Sequence, residues 1–466
     1  MPDRILFVTG KLAHSSLQRT MDGISSEAFS YEIRPLGVSV AALISESILM
    51  RRLDAVDSFD MVMLPGLCAG NVERLSDHFG VNVVKGPKEL KDLPEYFGAQ
   101  SRKASLDHHS VLIFAEIVDA PNLPIDQIVE LARTYQDSGA DVIDLGCLPG
   151  QDFQHLEESV RELKHKGFKV SVDSLDDQEL VRGGQAGADY LLSLSESSLW
   201  IADEVDSIPV VIPDADTGVE SLYRSIDTLG ERGRNFLADS ILNPIHFGFV
   251  RSIVQYQELR LRYPEVPIMI GTGNITELTE ADTIGMTALL AGIASELDAS
   301  AILTTEVSGH ARTAVAEADL ARRIMYAAKQ DSSLPQHYSD GLLALHEKKP
   351  FPTPAAEIRE LAQMIKDPSF RIQVSDNGVH IFNRDGIWES TDPFELFPHL
   401  KVDNDGSHAF YLGVELTKAQ IAWQLGKRYI QDRALNWGCL LRAEQDDDEY
   451  QTPRSTQQSN KETDAS

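Results

Sequence analysis

The chain has 466 residues and a formal net charge of -30, set by 72 acidic against 42 basic side chains. Repulsion then argues against non-specific association with nucleic acid or an anionic membrane, and no stretch reads as a transmembrane span. Three cysteines, Cys68, Cys147 and Cys439, fall in different predicted elements and provide neither a disulfide framework nor zinc spacing.

The length suits two or three domains. The chain opens MPDRILFV, straight into a strand with no signal-peptide pattern, so the expected location is the reducing cytoplasm.

Residues 1–104 read as an N-terminal α/β domain. Strands in RILFVTG, YEIRPLG and FDMVMLPG each run into a glycine-bearing loop, as in a Rossmann- or flavodoxin-like sheet. A helix is expected to carry Val40, Leu43, Ile44, Ser47 and Ile48 on one face. Thr9-Gly10-Lys11 lacks P-loop spacing, so glycine turns compete with a nucleotide site. Lys85, Lys88 and Lys91 form a basic run that reads either as a solvated helix face or as a contact for an anionic substrate.

Residues 108–330 carry eight buried-type strands: VLIFAEIV, DVIDLG, KVSVDS, YLLSLS, PVVIPD, FLADSIL, PIMIGTGN and AILTTEV. Their continuous apolarity, separated by amphipathic helical patterns, predicts a (β/α)8 TIM barrel, an α/β fold whose chemistry sits at the C-terminal ends of the strands. Three of those ends carry Asp144, Asp173 and Asp239. Aspartates there also cap helices or start turns. Cys147 reads as a packed thiol, since no neighbouring base or cation would activate it.

The succession GADVIDLG, SVDS, AGADYLLSLS and LAD resembles the pterin-binding dihydropteroate synthase-like family, in particular the longer multi-domain relatives linked to methanopterin-type C1 carriers. The resemblance covers about half the chain. It implies a site in which Asp173 and Asp239 hold the amino and N–H edge of a reduced pterin through charge-assisted bonds, with Asp144 deeper or orienting the first loop.

Several family features are replaced. The asparagine after the first strand, which helps hold Mg2+, is Glu116; the loop GESTRPG is GCLPGQ; and the lysine of SRK gives way to Gly271-Thr272-Gly273-Asn274. Glu116 and Asn274 are instead similar to the corresponding stretches of corrinoid-dependent methyltetrahydrofolate methyltransferases, where the asparagine lies near the reacting pterin nitrogen. Thr272 and Gly273 also read as a tight turn or an anion cradle. His310 and Arg312, after the eighth strand, would suit an anionic second substrate.

Residues 331–368 read as a proline-rich connector, and 369–442 as a small α+β domain. That domain has turns at Asn377-Gly378 and Asp385-Gly386, an alternating HAFYLGVEL, and a helix carrying Ile421, Ala422, Leu425 and Tyr429. An interaction or homodimerisation role is its default assignment. Residues 443–466, with seven acids and two bases, are expected to be disordered.

Three functions stay open from the resemblance. One condenses a hydroxymethyl-dihydropterin pyrophosphate with an arylamine in folate or tetrahydromethanopterin biosynthesis; one transfers a methyl or C1 group; one is a non-catalytic pterin-binding or assembly protein. The pterin is substrate or ligand, Mg2+ would lack its usual asparagine, and no metal ligand set is assigned.

Overall fold

The computed structural model describes residues 4–22, 24, 29–87, 90–97 and 105–441. Lys88 and the 443–466 segment lie outside them. The chain divides into two units, residues 1–110 with 322–338 and residues 111–321 with 339–466.

In the first unit, β1 (Arg4–Thr9), β2 (Ser30–Pro35), β3 (Met61–Leu64) and β4 (Asn82–Lys85) form a parallel sheet in the order β2-β1-β3-β4. Successive strand residues point to opposite faces. Ile5, Phe7, Met61 and Met63 accordingly pack with Leu17 and Met21, whereas Leu6, Val8, Val62 and Leu64 pack with Leu49 and Leu75. Burial on both faces is why the two central strands, β1 and β3, carry runs of apolar residues.

Two local expectations are corrected. Lys85, read in a basic run as part of a solvated helix face or an anion contact, ends a strand, Asn82–Lys85, whose Val83 is buried. The single helix expected over Val40 to Ile48 is a short turn, Ala41–Leu43, followed by helix Glu46–Arg52.

The second unit holds the barrel, made of β5 (Leu112–Ile117), β6 (Val142–Gly146), β7 (Val170–Asp173), β8 (Tyr190–Leu194), β9 (Ile208–Val211), β10 (Leu237–Ala238), β11 (Met269–Gly271) and β12 (Ala301–Thr305). All eight expected strands form, and every pairing is parallel. An Ala238–Ile268 bridge joins β10 to β11 and closes the ring. Phe114, Val142, Tyr190, Leu192, Val210, Leu237, Met269 and Ala301 form one apolar cluster, while Ile113, Ile143, Val170 and Val172 belong to a second with the helices. Helix Ile125–Asp137 buries Ile128, Val129, Ala132 and Tyr135, as its spacing predicts.

After the barrel, helix Ala355–Met364 lies within the segment read as a connector. Next comes an antiparallel meander, β13 (Arg371–Ser375), β14 (Gly378–Asn383) and β15 (Gly386–Ser390), joined by the two expected turns.

HAFYLGVEL is not a strand. It lies inside helix Gly406–Leu425, whose buried Leu412, Leu416 and Ala419 pack on the meander at helical spacing while Phe410 and Val414 stay exposed. The Asp405 carboxylate accepts from the His408 N–H at the start of this helix, and left-handed Gly426 ends it before Tyr429.

Candidate functional site

The pleat decides which side chains enter the barrel. Residues two apart on a strand share a face, so Glu116 follows Phe114, Asp144 follows Val142 and Asp173 follows Ser171 on the inner side. Register then aligns them. Glu116 pairs with Asp144 across β5 and β6, Asp144 with Ser171 across β6 and β7, and Gly146 with Asp173. One carboxylate oxygen from each of Glu116, Asp144 and Asp173 lies within 4.8 Å of the others.

Each acid has a defined environment. Asp144 is fully buried; its Oδ1 accepts from the Ser171 hydroxyl at 2.5 Å, and its Oδ2 has no hydrogen-bond partner. The Ser193 hydroxyl donates to Asp173 Oδ1 at 2.5 Å, from a residue with φ of +67° at the end of β8. That backbone conformation is uncommon outside glycine. Directly after β10, Asp239 Oδ1 accepts from the Ile241 N–H at 2.7 Å and from the hydroxyl of buried Tyr256.

Burial disfavours the charged form of a carboxylate, and neighbouring carboxylates add to the effect. Burial, with repulsion from Asp173 and Glu277, pushes Glu116 up to about 7. Asp144 is raised well above the usual range by burial, then by Asp173 and Glu116, against the bond from Ser171. Burial also raises Asp173, opposed by the Ser193 hydroxyl. Asp239 rises to about 6, chiefly by burial, although Tyr256 and the Ile241 N–H hold it down. Among the described residues, the charges acting on these four acids are other carboxylates.

The other expected site residues are placed differently. Asn274 begins just after β11, in the short helix Gly273–Thr276, and its amide donates to the Leu242 carbonyl at 2.8 Å. The Thr272 hydroxyl is committed to the Leu303 carbonyl at 2.9 Å, and the His310 ring contacts the Thr276 carbonyl at 3.0 Å. Gly273 lies against Thr305, and Arg312 is exposed. Burial raises the Cys147 thiol, in keeping with its reading as a packed residue.

Ser171, Tyr256 and Glu277 escaped the sequence reading as site residues. Strand parity could have found Ser171, two residues before Asp173. Glu277 accepts from the Thr305 hydroxyl and the Val307 and Ser308 N–H groups, tying the loops after β11 and β12. Nothing local in sequence marks Tyr256 as the partner of Asp239, 17 residues earlier.

Residues 3–88 match the model of a family of unknown function, DUF6513. The chain is 26% identical over 523 aligned residues to the uncharacterized protein MJ0107 of Methanocaldococcus jannaschii, covering 92% of this chain and 98% of that protein. Among solved structures, it is similar to Yersinia pestis dihydropteroate synthase with a pterine-sulfa conjugate, with a TM-score of 0.38, 16% identity, and coverage of 47% of this chain and 95% of that one. A dihydropteroate synthase of Coxiella burnetii in complex with pteroic acid gives a TM-score of 0.38 and 14% identity, covering 47% of this chain and 94% of that one. Among the described residues, no helix is long and apolar enough to cross a membrane.

Proposed function

We propose that the barrel mouth binds a reduced pterin, with Asp173 and Asp239 accepting hydrogen bonds from its amino and ring N–H groups. The observation that carries this reading is a pair of desolvated carboxylates at the C-terminal ends of two non-adjacent strands, each with Oδ1 held by a protein hydroxyl. Fixing one oxygen orients the other before the ligand arrives, and such preorganisation lowers the cost of binding. A heterocycle edge with adjacent donors suits these acceptors, which need donors more than they need charge.

Condensation of a hydroxymethyl-dihydropterin pyrophosphate with an arylamine is the reaction we assign. Ionisation of the pyrophosphate would leave an electrophilic methylene for the arylamine nitrogen to attack, and positioning would supply much of the rate. Glu116 in place of an asparagine favours a second reading, C1 transfer on a methyl-pterin. Both place the protein in one-carbon metabolism as a cytoplasmic pterin-binding protein.

The test measures binding of dihydropterin pyrophosphate and of a reduced methyl-pterin to the full chain, then pyrophosphate release on adding an arylamine. A hydrogen bond to a charged group contributes about 1.5–3 kcal/mol, so Asp173→Asn and Asp239→Asn should each weaken binding by about 10- to 100-fold. Pyrophosphate release supports condensation; tight methyl-pterin binding without release supports C1 transfer. Unchanged affinity in both variants would refute the pocket.

A further inference from the structure

We infer that Glu116, Asp144 and Asp173 form a binding site for one divalent cation of the Mg2+ or Mn2+ class. Two observations meet here. Oxygens from three acids on adjacent strands converge within 4.8 Å, and Asp144 Oδ2, on a fully buried side chain, has no hydrogen-bond donor.

A buried acceptor left without a partner costs roughly 1–3 kcal/mol, and more when charged. Proteins rarely keep one without a use. Among the described residues, the charges acting on it are the carboxylates of Asp173 and Glu116. A cation answers all three groups at once.

The donor set selects the ion. Three carboxylates provide hard oxygen ligands without nitrogen or sulfur, which suits Mg2+ and Mn2+ over zinc or copper. An octahedral ion with bonds of about 2.1 Å separates its ligand oxygens by roughly 3 to 4.2 Å, so the three found here need close only slightly around it. Three side chains leave coordination positions for water or for an oxygen of a bound ligand. The Ser171 hydroxyl already fixes Asp144 Oδ1, directing Oδ2 as the free ligand atom, an orienting role typical of groups behind metal ligands.

The site shares Asp173 with the proposed pterin slot but does not depend on a pterin binding there. Asp239 is outside it.

The experiment titrates Mn2+ into the full chain at pH 8 with no pterin present, reading free Mn2+ by electron paramagnetic resonance and stability by thermal melting. One Mn2+ should bind per chain, Mg2+ should displace it, and the melting temperature should rise with Mn2+ beyond any change produced by NaCl of equal ionic strength. Asp144→Asn and Glu116→Gln should each weaken Mn2+ at least about 10-fold, while Asp239→Asn keeps it. Absence of Mn2+ binding to the unaltered chain at millimolar concentration overturns the site, whatever the variants do. So does affinity unchanged in both Asp144→Asn and Glu116→Gln. Pterin binding lost in Asp239→Asn with Mn2+ retained would separate the two proposals.

Discussion

Asp239→Asn should make the protein more stable while weakening its ligand. Asp239 is nearly buried, and burial raises its pKa from 3.8 to about 6. Below pH 3.8 the side chain is neutral in both folded and unfolded chains, and acid and amide are equivalent. As pH climbs, the unfolded chain releases the proton first; the native state binds more protons, and stability falls with pH. The loss is complete above about pH 6.

A shift of about two units corresponds to about 3 kcal/mol. An asparagine can keep both bonds at Oδ1, from Tyr256 and the Ile241 N–H, without ever ionising. At pH 8 the variant should therefore melt roughly 6–12 °C higher, taking about 2–4 °C per kcal/mol for a domain of this size. At pH 4 the gap should shrink to roughly 1–2 °C. Melting curves of the full chain from pH 4 to 8 test this. A gap that is absent at pH 8, or independent of pH, would refute burial as the origin of the raised pKa.

Tyr256→Phe removes a donor that favours ionised Asp239; the midpoint of the pH-dependent stability loss should move upward, with about 1 kcal/mol of destabilisation at pH 8. Gly146→Ala would place a Cβ 2.6 Å from Glu116 Oε1. The flexible Glu116 should yield, costing Mn2+ affinity far more than stability, and equal Mn2+ affinity would contradict the placement of that carboxylate. Asn274→Ala deletes the bond to Leu242 and should weaken pterin binding severalfold in the same assay.

The barrel was legible because strands buried on both faces leave continuous apolar runs, and because a lone acid at the end of such a run stands out against it. Convergence was harder to see. That Glu116 lies opposite Asp144 depends on register, which neighbouring strands set together. The misread HAFYLGVEL shows a different obstacle. Apolar residues at 410, 412, 414 and 416 alternate like a strand, yet Phe410 and Val414 are simply exposed residues of a helix anchored by Leu412 and Leu416. Alternation cannot tell an exposed apolar side chain from a buried one.

The ring of strands is thinnest where β10, two residues long, meets β11 through the bridge at Ala238. Above that gap, the Asn274 amide reaches the Leu242 carbonyl, so a side chain stitches a seam that the main chain leaves nearly open. A molecule seated against Asp239 would lie beside that stitch. Its arrival should slow amide exchange at the β10–β11 junction before it quiets the rest of the barrel.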